Sequence, residues 1–289
     1  MKIAFLIQCH KKPEQINILL ETLEHENNFF FVHVDAKSSI KSEIRNNKNV
    51  FILDECIDVK WGQISQVQAT LLLFNMVVKT GIFFDYVWLI SGEDFPIKSI
   101  EFIHNYLKSN HGINFISVYP ENKKYHKRNE IYFPLWSISL NMLPRIIRRL
   151  WIALSGGYGN TFRFFKRNNL TNRNFFFGSS WFTINYDCMC FILKTIESEP
   201  EIMKFYKNTL CPDECFFQTI IMNSHYRDTV KENLVYTDWT NCKNHPRNLN
   251  ESDFDNLKNT SKLMARKFDN IEILKSLKQY AVWENSNRY

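Results

Sequence analysis

Short, unbroken apolar runs separated by helix-spaced segments fill the first ninety residues, and they leave few folds open. Residues 2–8, 28–34, 50–53 and 84–90 are rich in aromatic and β-branched side chains, and apolar residues follow one another instead of alternating with polar ones. A strand of that kind is buried on both faces, as in a parallel sheet covered by helices. Between the runs, Ile16, Ile18, Leu19, Leu20 and Leu23 lie at helical spacing. A longer helix is expected over 64–79, with Gly81 just beyond its end as a stop. Strands alternating with helices in this way make the chain α/β, with a doubly wound, mostly parallel sheet flanked by helices.

Open α/β sheets bind ligands at the carboxyl ends of their strands, so the residues found there are the first candidates for a site. The run ending at Ile90 gives way to Ser91-Gly92-Glu93-Asp94, which places flexible backbone and two carboxylates at a strand end. Pro96 closes that loop, Ser99 can cap a helix over 100–107, and a further strand is expected over 113–118. Asp35 follows the second run in the same manner. An ordinary satisfied turn would look the same, so these residues mark a place without naming a reaction.

Charge and cysteine usage narrow the classes. The net charge of +6 over 289 residues is too modest for nucleic-acid binding by bulk charge, and suits a phosphate-bearing partner wherever the cations cluster. Seven scattered cysteines, odd in number, read as reduced thiols, and neither Cys188-Met-Cys190 nor Cys211–Cys215 has zinc-site spacing with a matching second pair. No metal site is expected. Met1-Lys2 leads straight into the first strand and no segment is long enough to span a bilayer, so the expected location is cytoplasmic.

Residues 121–175 are basic and aromatic, with Arg145-Ile-Ile-Arg148-Arg149-Leu-Trp151 and Arg163-Phe-Phe-Lys166-Arg167. A solvated helix face is the ordinary explanation of such a stretch. Two others stay open: an insertion that touches a substrate, with Glu130 among the candidates, and peripheral contact with an anionic membrane surface through 145–167.

Three later motifs carry chemistry. Gly178-Ser179-Ser180-Trp181 feeds a strand with residues small enough for a ligand to approach the backbone, although a plain bulge would use them too. Pro212-Asp213-Glu214 reads as a helix start with Asp213 as cap, which puts Glu214 in a first turn where the helix dipole favours a carboxylate. Dipole compensation alone would explain it equally. Lys243, Arg247, Arg266 and Lys267 gather late in the chain, as surface charge or as a set able to offset phosphates. Asp253-Phe254-Asp255 has the spacing of a metal-binding pair, but lies in a polar stretch that reads as a helix N-terminus.

In order, Trp61-Gly62, Ser91-Gly92-Glu93-Asp94-Phe95-Pro96-Ile97, Gly178-Ser179-Ser180-Trp181-Phe182, Pro212-Asp213-Glu214, Asp238-Trp239, His245-Pro246 and Ala265-Arg266-Lys267-Phe268 resemble the core-2/I-branching β-1,6-N-acetylglucosaminyltransferase and peptide O-xylosyltransferase family. The resemblance covers nearly the whole chain. It implies a GT-A type fold and inverting, metal-independent transfer from a UDP-sugar, GlcNAc before xylose, to a hydroxyl of a glycan or lipid-linked glycan. It makes Glu214 the general base and Lys267 a contact to the donor diphosphate, with Arg247 or Lys243 as the second cation. Asp35, Trp61, Gly62, Ser91 and Asp94 would line the donor side; Asp94, Gly178, Ser179, Trp181 and Glu130 would face the acceptor. One domain over 1–289 is expected, with 1–120 as the nucleotide-sugar half, 121–175 as a variable insertion and 176–289 as the catalytic half. Family members of the Golgi carry an N-terminal anchor and a disulfide framework, and this sequence shows neither. A metal-dependent transferase of another family and a non-catalytic glycan-binding module are the alternatives.

Overall fold

A computed structural model describes residues 1–120, 122–167, 173–240 and 245–286. The strands are β1 (Ile3–Cys9), β2 (Asn28–Val34), β3 (Val50–Ile52), β4 (Tyr86–Ser91), β5 (Asp94–Pro96), β6 (Asn114–Ile116), β7 (Phe182–Asn185), β8 (Val230–Lys231), β9 (Val235–Thr237) and β10 (Met264–Arg266). The helices are α1 (Pro13–Thr22), α2 (Ser65–Lys79), α3 (Ile100–Ser109), α4 (Lys123–Glu130), α5 (Met142–Leu154), α6 (Tyr186–Ser198), α7 (Glu201–Tyr206), α8 (Phe216–Met222), α9 (Phe254–Asn259) and α10 (Ile271–Ser286).

Seven strands form one sheet in the order β3-β2-β1-β4-β7-β6-β8. β3, β2, β1 and β4 are mutually parallel, and β7 runs antiparallel between β4 and β6. The apolar runs are unbroken because both faces are covered. Ile3, Phe5 and Ile7 belong to a core with α1 and α10, while Ala4 and Leu6 belong to another with α2, α6 and α8. Register aligns Phe5 with Phe30 and Trp88 on its neighbours, and the ring centroids of both pairs are 5.6 Å apart. Stacking across a parallel sheet in this way adds to the burial of three large side chains. The turn stops match their sequence signals: Gly81 has φ +67°, and the Ser99 hydroxyl accepts from the Phe102 N–H at 3.2 Å.

Residues 94–96, expected as the end of a loop, are instead strand β5. It pairs antiparallel with β10, which pairs in parallel with β9 to make a second, three-stranded sheet. A three-residue strand containing one apolar side chain and a proline shows no period, and its partner lies far downstream. Phe95 is buried there against Phe268, with ring centroids 6.3 Å apart. The expected strand over 113–118 shortens to Asn114–Ile116. No helix among the described residues is long and apolar enough to cross a membrane.

The chain visits β2 and β3 on one side of β1, then crosses through α2 to β4 on the other side. The strand order thus reverses between β1 and β4, the switch point at whose carboxyl ends open α/β sheets carry their ligand crevice.

Candidate active site

A cleft of about 780 Å³ occupies that crevice. Its floor is Cys9 and His10 at the end of β1, Asp35 after β2, and Ser91 and Glu93 at the end of β4. Trp61, Trp181 and Arg266 form its walls, with residues 138–141 at one side. Of the candidates read from the sequence, Asp35, Trp61, Ser91 and Trp181 line the cleft.

Asp94 stands behind that lining. Its buried carboxylate accepts from the Ser91 N–H at 2.9 Å and the Ser91 hydroxyl at 2.8 Å, with Arg266 Nε at 3.3 Å. Burial pushes its pKa up, while Arg266 and Ser91 favour the ionised form. Asp94 therefore fixes Ser91 and Arg266, and is not itself a lining residue. Asp35 accepts from the backbone N–H of Lys37 at 2.9 Å and lies 3.4 Å from Lys37 Nζ. Glu93, one of the two strand-end carboxylates, to which the resemblance gave no donor or acceptor role, is half-buried between Lys11 Nζ at 2.8 Å and Lys267 Nζ at 3.9 Å. Burial would raise its pKa, but the Lys11 hydrogen bond and the charges of Lys267 and Arg266 win and hold it below the usual range.

Arg266 is the cleft's late-chain cation. Its guanidinium sits 4.5 Å from the centroid of the Trp181 ring, a cation–π contact. Lys267 reaches the other side of Glu93. Arg247 is placed differently: its guanidinium is clamped by Asp253 and by Asp238, whose Oδ2 accepts from Nε at 2.7 Å, and none of the three lines the cleft. Lys243 lies outside the described residues. Asp253 belongs to a capping box with Asn250, the helix-start role its sequence suggested. Among the described residues, no group of three His, Cys, Asp or Glu is placed to hold a metal ion.

Glu214 ends a single 3-10 turn, Pro212–Glu214, entered through Cys211 at φ +51°. The turn is strung between the two tryptophan-bearing walls. Cys211 N–H donates to the Gly62 carbonyl at 2.9 Å, and Gly178 N–H donates to the Glu214 carbonyl at 2.8 Å. Gly62 has φ +69°, a conformation that L side chains rarely adopt. The Asp213 side chain does not cap a helix. It is buried and accepts from the Ser180 hydroxyl at 2.6 Å, and α8 begins only after a break at Cys215. The electrostatic partner of Glu214 is accordingly a side chain, Arg128 of α4, which ion-pairs with its Oε2. Burial opposes the charge of Arg128, but Glu214 outweighs it and holds the guanidinium firmly protonated. Nothing in the spacing of the basic segment singles out Arg128.

Glu130, two residues along α4, faces away from Arg128, as residues two apart on a helix must. Its carboxylate accepts from Thr161 instead and does not line the cleft. Gly178 and Ser179 likewise serve the fold. A Cβ at Gly178 would lie 1.7 Å from the Ser117 carbonyl oxygen, so the space is filled by backbone and is not open to a ligand. The Ser179 carbonyl accepts from Gln218 at 2.7 Å. Gly178→Ala should therefore displace the strand wall beside Glu214 and destabilise the protein by about 1–3 kcal/mol, the usual cost of overpacking. A denaturant melt checks this, and an unchanged midpoint would contradict it.

Burial, and then the neighbouring Glu214 charge, push Asp213 up to about 6, against the Ser180 hydrogen bond. The group is protonated in the fold but ionised in the unfolded chain between about pH 4 and pH 6. Stability present at lower pH is thus lost as pH rises through the folded value. Asp213→Asn removes this loss, so its melting temperature relative to the parent protein should climb from pH 4 to pH 7.5. Parallel pH profiles would contradict the assignment.

The family model described as Core-2/I-Branching enzyme matches residues 3–260. Xylosyltransferase 1 of Rattus norvegicus is 23% identical over 311 residues, covering 97% of this chain and 35% of that protein. Xylosyltransferase oxt of Drosophila pseudoobscura pseudoobscura is 23% identical over 257 residues, covering 83% of this chain and 26% of that one. The chain spans about a third of the length of the curated relatives it matches. Among solved structures, mouse xyloside xylosyltransferase 1 in its apo form aligns over 94% of this chain and 99% of that one, with 10% identity and a TM-score of 0.41. The family match begins at the first residue of β1 and runs past α9, so it takes in the floor of the cleft, both tryptophan walls and the Glu214 turn: the chain belongs to the Core-2/I-branching enzyme family.

Proposed function

We propose that the cleft binds a UDP-sugar and transfers the sugar, with inversion and without a divalent metal, to a hydroxyl of a glycan acceptor. The observation that carries this reading is the suspension of the Glu214 turn between the Trp61 and Trp181 walls. It holds the Glu214 backbone between the two stretches that carry the lining tryptophans, next to the wall where Arg266 stacks on Trp181; the Glu214 side chain itself is not among the lining residues.

Inverting transfer needs one base and one set of cations. The acceptor oxygen attacks the anomeric carbon as its proton passes to Glu214, whose Oε1 has no partner among the described residues while Oε2 holds Arg128. The bond from the anomeric carbon to the UDP oxygen breaks, and its electron pair stays on the diphosphate. Arg266 and Lys267 are the cations that would offset that charge. A guanidinium suits the task because it can contact phosphate through two N–H groups. Metal independence is supported by the use already made of the lining carboxylates: Asp35 is engaged by Lys37, and Glu93 by Lys11 and Lys267.

The family description and the names of the relatives make GlcNAc and xylose the two donor sugars to test. In EDTA, UDP and one of UDP-GlcNAc or UDP-xylose should raise the melting temperature, because a ligand that binds only the folded state stabilises it. UDP-sugar with acceptor should then release UDP. A protein that is stabilised but releases no UDP with any glycan would be a binding module, and no stabilisation by any UDP-sugar would contradict the reading.

A further inference from the structure

Helix α5 carries apolar residues on two sides, and only one of them packs on the protein. Surface helices turn their apolar stripe inward. Here Leu143, Ile146, Leu150 and Leu154 recur at intervals of three and four residues and are all exposed, and none of the helix's residues is buried. Arg148 points back at the protein, donating to the carbonyls of Ser137 and Ser139 at 3.2 and 3.1 Å, with its guanidinium 5.6 Å from the Trp61 ring centroid. Trp151 and Ile152 pack on that same side against Ile131, Phe133 and Ile138, so the protein-facing side is fixed and the leucine stripe is left outside. Phe162 and Phe164, the latter 92% exposed, continue the apolar surface beyond the helix. Eleven of the seventeen exposed large apolar side chains of the described residues fall within 132–164, so the patch is a concentrated feature and not the usual scatter.

Charge identifies what would cover it. Residues 131–186 contain seven Arg or Lys and no Asp or Glu, a surplus of +7 against +6 for the whole chain. Arg149 borders the apolar stripe, and neither it, Arg145 nor Arg163 has an ion-pair partner among the described residues. A second copy of this chain is a poor cover, because a two-fold contact would set the same cations against themselves. An apolar stripe edged by unpaired arginines matches the interface of an anionic bilayer, whose acyl boundary takes the leucines and whose phosphates take the cations.

We propose that α5 and the 162–164 segment dock the protein on an anionic membrane leaflet. The surface adjoins the cleft: residues 138–141, which line the cleft, lead directly into α5, and Leu140 belongs to both. Docking needs no donor and stands apart from sugar transfer. Taken with the transfer reading, on which this last step alone rests, it would present the cleft to acceptors carried on lipids.

Co-sedimentation of the whole protein with vesicles tests it. Binding is expected to vesicles of phosphatidylcholine with about a third phosphatidylglycerol, to fall at high salt, and to be weak on pure phosphatidylcholine. Leu150→Glu and Ile146→Glu should each lower binding at least tenfold. Both positions are exposed, so their melting temperatures should match the parent's. Arg149→Glu should lower binding by roughly fivefold or more, the scale of one cation at a charged surface, and tests the charge separately should an apolar variant misfold. No binding to anionic vesicles, or binding that these variants leave unchanged, would overturn the proposal. So would a dimer in light scattering that Leu150→Glu dissociates while vesicles fail to bind. UDP release from a soluble acceptor, measured without vesicles, shows separately whether the transfer reading has failed.

Discussion

Glu214→Gln is expected to lower turnover by about a hundredfold or more, the scale of general-base catalysis, while the Kd for UDP-sugar stays within a factor of two or so. Gln keeps the shape of the side chain and an oxygen to accept from Arg128, so the turn between Gly62 and Gly178 should persist. It cannot take the acceptor's proton. The loss should therefore fall on kcat, and a donor-binding titration should not register it. Arg128 loses its counter-charge in this variant, which costs some stability, so turnover has to be compared well below the melting temperature. If Glu214 only neutralised Arg128, Glu214→Gln and Arg128→Met would both reduce stability, and turnover would stay near normal in the folded protein.

Lys267→Ala should weaken UDP binding and turnover together by roughly ten- to a hundredfold, since a charge-assisted hydrogen bond is worth about 1.5–3 kcal/mol. Arg266→Ala should do the same and also release the Trp181 ring at the cleft wall. Arg247→Ala provides the contrast. Lys267 reaches the lining residue Glu93, whereas the Arg247 guanidinium is held by Asp238 and Asp253, neither of which lines the cleft, so its removal should lower stability and leave UDP affinity near normal. Isothermal titration with UDP in EDTA separates the cases. A large loss of affinity in Arg247→Ala with none in Lys267→Ala would reverse these assignments.

The main sheet could be read in advance because strands buried on both faces must be apolar throughout, and 28–34 is strand Asn28–Val34 without adjustment. The second sheet was hidden by its size. Asp94–Pro96 and Met264–Arg266 are three residues each, too short to show a period, and they meet only through the tertiary fold. The candidate site divides along a similar line. Asp35 and Ser91 reach the cleft because they sit at strand ends and Trp181 because it precedes a strand, positions that sequence order reveals, while Trp61 lies in the turn ahead of α2. Asp94, Gly178 and Asp213 are equally local in sequence, yet each is turned into the structure by one partner, Ser91, Ser117 or Ser180, that spacing does not identify. Arg128 and Arg266 were visible only as members of basic clusters, and it took the fold to separate Arg266 over Trp181 from Arg247 between two carboxylates.

In the function proposed above, one carboxylate, Glu214, and fixed cations suffice for transfer by direct displacement. Displacement in a single step inverts the anomeric carbon, and fixed cations leave no role for an added metal. The most direct measurement is the anomeric configuration of the product formed in EDTA, read by proton NMR from the coupling at the new linkage. From an α-linked UDP-sugar, a β-linked product is expected, formed at the same rate with EDTA as without it. An α-linked product, or transfer that appears only when manganese or magnesium is supplied, would contradict it.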